Sequence, residues 1–75
     1  MEWHQLQTIV TEHAFIQALR RGIHPDRIEE AVRHGKVKRF GKTGVKFVQR
    51  DVIAVCQVVG DRIVVMTVER KGGRK

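Results

Sequence analysis

The sequence predicts an α+β fold in which two short helices pack on one face of a small antiparallel sheet of three to five strands. Three observations predict it. Residues 11 to 35 carry apolar side chains at helical spacing, residues 37 to 70 are crowded with β-branched side chains, and short turn signals divide that second half. A chain of 75 residues supports one core, so a single domain over 1–75 is expected, with a basic tail from Lys71 to Lys75 that reads as flexible.

The elements follow in order. Leu6 to Val10 alternates weakly, and Thr11 then offers a hydroxyl to cap a first helix whose first turn carries Glu12. Ala14, Phe15, Ala18 and Leu19 form its apolar stripe, and Gly22 after Arg20 and Arg21 is its C-terminal stop. Pro25 opens a second helix. Asp26, Glu29 and Glu30 suit its positive dipole end, Ile28, Ala31 and Val32 form its buried stripe, and Gly35 ends it.

Four strands are read after Gly35: Val37 to Phe40, Val45 to Arg50, Val52 to Val59, and Arg62 to Arg70. Gly41 to Gly44, Arg50 with Asp51, and Gly60 with Asp61 supply the turns of a meander, the last a two-residue primed turn. That turn pairs Val59 with Arg62. It places Ile53, Val55, Val64, Met66 and Val68 on one face, the expected core, and Val52, Ala54, Cys56, Val58, Ile63, Val65, Thr67 and Glu69 on the other. Two helices of about ten residues cover one face and hardly both. The second face is therefore expected to meet another subunit or a partner, unless the N-terminal segment or the tail folds across it.

Composition restricts the classes. With 41% hydrophobic residues and one Pro, the chain is a folding one. Its lone cysteine, Cys56, cannot make an internal disulfide, which favours the cytoplasm. No apolar run is long enough for a membrane span and the start lacks a signal-peptide layout, so no membrane association is expected. Fifteen Lys and Arg against eight Asp and Glu leave a net charge of +7, which calls for an acidic partner.

The charge is concentrated. Six basic residues and no acidic ones lie from Lys36 to Arg50, namely Lys36, Lys38, Arg39, Lys42, Lys46 and Arg50, with Phe40 and Phe47 on either side of the Gly41 to Gly44 turn. Cations for phosphates beside rings for bases make a nucleic-acid surface, to which Arg70 and Lys71 add. About five such contacts to single-stranded phosphates imply a log-log salt slope of roughly −3.5. The competing reading is a solvated edge strand guarded by lysines, with both Phe residues in the core, Phe47 before Phe40.

Other chemistry finds little support. Gly41-Lys42-Thr43 ends like a phosphate loop, but Lys36 stands where its first glycine belongs. His4, His13, His24 and His34 are not spaced for a metal, so neither a metal nor a cofactor is expected. His24 sits at a capping position and His34 near a helix end, whereas His13 either packs or faces substrate. Cys56 reads as inert core. Catalysis, if present, falls to cations that stabilise a phosphate transition state, with Lys46, Arg50, Arg70 and His13 as candidates and the RNA 2′-hydroxyl as nucleophile.

Taken together, His13-Ala14, Arg21-Gly22-Ile23, Ile28-Glu29-Glu30-Ala31-Val32, Gly35-Lys36 and Ile63-Val64-Val65-Met66-Thr67-Val68 resemble a small domain-of-unknown-function family related to the RelE/ParE and BrnT toxins. The likeness covers about residues 11 to 70. It implies two helices on an antiparallel sheet and a metal-independent ribonuclease, ribosome-dependent or free, restrained by an antitoxin. The chain departs from active relatives in having no Tyr and no His after His34. The sequence therefore points to a toxin-related protein that contacts RNA or the ribosome through its basic hairpin, with mRNA cleavage as its further step. The alternative is a catalytically silent domain that dimerises or docks a partner through its second sheet face.

Overall fold

The computed structural model describes residues 6–71. Its elements are β1 (Gln7–Val10), α1 (Glu12–Arg20), α2 (Asp26–His34), β2 (Lys36–Phe40), β3 (Gly44–Gln49), β4 (Val52–Val59) and β5 (Arg62–Arg70). The fold is α+β, with both helices on one face of a five-stranded sheet of order β1-β5-β4-β3-β2. Strands β2 to β5 form the expected antiparallel meander. The sheet is nevertheless mixed, because Gln7–Val10 joins it as a fifth strand, parallel to β5, instead of folding across a face. Thr11 fixes this edge: its backbone N–H and its hydroxyl both donate to the Val65 carbonyl, at 3.3 and 2.8 Å. His4 and the tail residues Gly72 to Lys75 lie outside the described residues.

Both helix ends follow local chemistry. The Thr11 side chain caps α1 by accepting from the Ala14 N–H at 3.1 Å. At the other end Gly22 takes φ 72°, its N–H donates to the Leu19 carbonyl, and the Ile23 N–H donates to the Ala18 carbonyl, which together form a Schellman stop. Ahead of α2, whose N-cap is Pro25 rather than the expected His24, the His24 Nδ1 accepts from the Asp26 N–H at 3.1 Å. Gly35 ends α2 for a steric reason, since a Cβ there would strike the backbone carbonyls of Ala31 and Val48.

The core lies between the helices and the face carrying Val45 and Phe47 of β3, Val52, Ala54 and Cys56 of β4, and Ile63, Val65 and Val68 of β5. This reverses the facing expected for the last hairpin. Its register, Val59 opposite Arg62, is as predicted, but the helices cover the side bearing Ala54 and Cys56. The helices present Ala14 and Ala18 of α1 and Ile28, Ala31 and Val32 of α2 to this core. A bulge then exchanges the faces of β5: Cys56 pairs with Val65 and Val55 with Thr67, so Met66 is unpaired, Val68 turns inward and Thr67 outward. The expected stripe of α1 is also only half buried, because Ala14 and Ala18 are enclosed while Phe15 and Leu19 are 43% and 54% exposed.

Beyond β1, the free edge of β5 is closed by side chains of α1. The Gln17 Oε1 accepts from the Val68 N–H at 2.9 Å, and the Arg21 Nε donates to the Val68 carbonyl at 3.0 Å. Both main-chain groups of that residue thus find the partners a neighbouring strand would have supplied.

Candidate nucleic-acid interface

The helices leave one sheet face open, and strand alternation with the observed register decides what stands there. On β2 it carries Lys36, Lys38 and Phe40; opposite them on β3 stand Val48, Lys46 and Gly44. Ile53, Val55 and Gln57 continue the face on β4, and Glu69, Thr67 and Val64 on β5. Lys36, Lys38, Lys46 and Lys71 line a depression of about 290 Å³ whose floor is Val48 and Ile53.

Among the described residues no carboxylate forms an ion pair with any of these four ammonium groups. The ion pairs of the described residues join His24 to Asp26, Arg27 and Arg70 to Asp51, and Arg62 to Asp61, and none includes the four lysines. Glu69, beside Ile53, is the carboxylate that the register puts on this face. Like charges held together without counterions favour a polyanion, because binding one removes their mutual repulsion.

Phe40 completes the basic half. Its ring lies over Gly44, where a Cβ would collide with it, and Lys46 Nζ sits 5.6 Å from the ring centroid. The ring remains 39% exposed, whereas Phe47 is fully buried on the opposite face. At the end of the same hairpin, the Thr43 hydroxyl donates to the Gln57 side-chain oxygen and the Val58 N–H donates to the Thr43 carbonyl, tying the turn to β4.

The remaining basic candidates separate from this cluster. Arg39 pairs with Val45 and so stands on the helix side of β2. Lys42 is exposed in the β2–β3 turn, and Arg50 is exposed in the β3–β4 turn at the other end of the hairpin. Arg50 has a φ of 55°, a left-handed backbone that a non-glycine residue rarely adopts.

Arg70 is built into the fold. Its Nε donates to the Arg21 carbonyl at 2.8 Å, one Nη to the Gly22 carbonyl at 3.3 Å, and the other to Asp51 at 3.1 Å. Arg27 binds the second Asp51 oxygen at 2.8 Å, and the bond to that guanidinium holds the Asp51 carboxyl below its ordinary pKa. His13 is exposed on α1, across the sheet from the lysines, so the structure does not bring the four catalytic candidates together.

Burial pushes the Cys56 thiol up to about 12, which leaves it protonated and unreactive at neutral pH. No cluster of His, Cys, Asp or Glu suited to a metal ion occurs among the described residues. No helix among them is long and apolar enough to cross a membrane. Val48 and Ile53, the apolar floor, were not among the sequence-derived site residues; the signal that locates them is the register of the two-residue Arg50-Asp51 turn, which pairs Gln49 with Val52 and Val48 with Ile53.

Comparison with protein-family models, with curated proteins and with solved structures finds no match to this chain.

Proposed function

We propose that this protein binds RNA in the cytoplasm through the open face of its sheet, with Lys36, Lys38, Lys46 and Lys71 as the phosphate-binding groups. The observation that carries the reading is the gathering of four lysines, none ion-paired among the described residues, around one depression. Lysine is a flexible point charge, suited to contacting a backbone rather than to reading a base edge. Lys42 and Arg50, at the two ends of the hairpin, extend the positive surface.

The test is an RNA-binding series against salt. Four phosphate contacts to a single strand give a log-log slope of roughly −3, and Lys38→Gln with Lys46→Gln lowers its steepness by about half. Absence of binding at low ionic strength rejects the proposal. A toxin relationship adds message cleavage to this reading, with a protein antitoxin as its restraint. On the open face the proton acceptor for such a step is Glu69. Incubating message with the protein, with and without ribosomes, and comparing Glu69→Gln decides whether cutting occurs and whether that carboxylate serves it.

A second reading, self-association or docking through the aliphatic half of the same face, is favoured by Val59, which is 58% exposed beside half-buried Val55 and Val64. Val64→Ser separates the two: it weakens an apolar assembly in sedimentation without changing the charge of the face.

A further inference from the structure

The open face offers more than charge, because its cations and its exposed ring stand in one row. Lys36, Lys38 and Phe40 occupy alternate positions of β2 and therefore share a side. Alternate residues of a strand are about 6.7 Å apart, close to the roughly 6–7 Å that the six bonds from one phosphorus to the next span in an extended nucleic-acid backbone. A polynucleotide running along β2 thus meets a new side chain at each nucleotide: two ammonium groups, then a phenyl ring.

From this row, and resting on the RNA reading above, we infer that the preferred ligand is single-stranded, with an unpaired base stacked on Phe40 and the adjoining phosphates on Lys38 and Lys46. The ring supplies the discrimination. A base in a duplex already has stacking neighbours on both faces and is turned inward, whereas an unpaired base can rotate out onto an aromatic surface. Phe40 is prepared for that role by Gly44. With no Cβ opposite, the ring lies down on the neighbouring strand instead of standing out into water, and so is held flat before any ligand arrives.

Lys46 has a double part. Its ammonium group lies over the ring, 5.6 Å from the centroid, so a base that stacks there displaces it toward the adjoining phosphate. Val48 and Ile53 form an apolar floor next to the row, where a sugar or a second base can rest without losing hydrogen bonds.

Three ligands tested on the intact protein by fluorescence anisotropy at low salt decide this: a labelled oligouridine of about eight nucleotides, an abasic sugar-phosphate strand of equal length, and an RNA hairpin duplex. Oligouridine is expected to bind at least about tenfold tighter than either of the others, the value of roughly one stacked base. Phe40→Leu, which keeps an apolar cover over Gly44, brings oligouridine down to the abasic level and leaves abasic binding unchanged. In a Trp3→Phe background, Phe40→Trp gives emission that oligouridine quenches and the abasic strand does not. Equal affinity for the uridine and abasic strands, or a preference for the duplex, overturns the inference while the RNA reading stands. No binding to any of the three overturns both.

Discussion

Asp51 joins three segments with one side chain, since Arg27 of α2 and Arg70 of β5 each take one of its oxygens and the β3–β4 turn supplies the carboxylate. The Arg27 bond lowers its pKa from the ordinary 3.8, so the folded protein binds this proton less readily than the unfolded chain. The stabilisation is therefore complete above that ordinary value and is lost as pH falls through the lowered one. Asp51→Asn is expected to lower Tm at neutral pH, and the gap to the parent protein should close on acidification below the ordinary value; an equal gap throughout a series of melts assigns the clamp's contribution to geometry alone. Arg50, next in the chain, holds φ 55° with a side chain that disfavours it. Arg50→Gly should therefore raise stability by about 0.5–1 kcal/mol in urea melts, after the entropy cost of a new glycine. The same change removes one cation from the end of the hairpin, so RNA affinity should fall as stability rises, and a loss of both would show that the arginine side chain supports the turn.

At the scale of elements, the hairpins were legible and their facing was not. The bounds Val52–Val59 and Arg62–Arg70 follow from two-residue turns, and the φ of 61° at Gly60 is the positive value that a primed turn needs. Alternation alone does not say which face helices will choose. The bulkier set, Ile53, Val55, Val64 and Met66, suggested the core, yet the helices cover the face of Ala54 and Cys56, where Val45, Phe47, Val52, Ile63 and Val65 from three strands supply the bulk instead. The bulge at Met66 leaves no mark in composition, and it returns Val68 to the core against the alternation. Likewise the basic run from Lys36 to Arg50 was visible as charge, but its division into Lys36, Lys38 and Lys46 on one side and Arg39 on the other requires the register. Nor does spacing reveal that Gln17 stands in for a strand. Gln17→Leu leaves the Val68 N–H without its acceptor and should cost about 1–3 kcal/mol. It also uncovers the edge of β5, so light scattering should show concentration-dependent association; a monomeric, equally stable variant would show that Arg21 and the helix body guard the edge unaided.

For the whole molecule, the charge that suits a polyanion opposes folding. A net +7 on 75 residues, with four lysines gathered on one face and none ion-paired among the described residues, raises the energy of the compact state through repulsion that the unfolded chain relieves by expanding. The Asp51 clamp and the Schellman stop lie on the helix side and at the sheet end, so the side chains that secure the fold are not the lysines, although the Lys71 N–H donates to the Asp51 carbonyl at 2.7 Å. Salt should then act in opposite directions on the two properties, raising Tm by screening repulsion while weakening RNA binding by competing for phosphates. Neutralisation should do the same without salt. Lys38→Gln combined with Lys46→Gln is expected to melt higher than the parent at low ionic strength, with the difference shrinking as salt is added, and to bind RNA several-fold more weakly. Thermal melts and anisotropy on the same samples measure both signs. A double variant that melts lower at low salt would mean that the lysine stems, packed beside Val48 and Phe40, contribute more to the fold than their charges take away, and the face would then be structural before it is electrostatic.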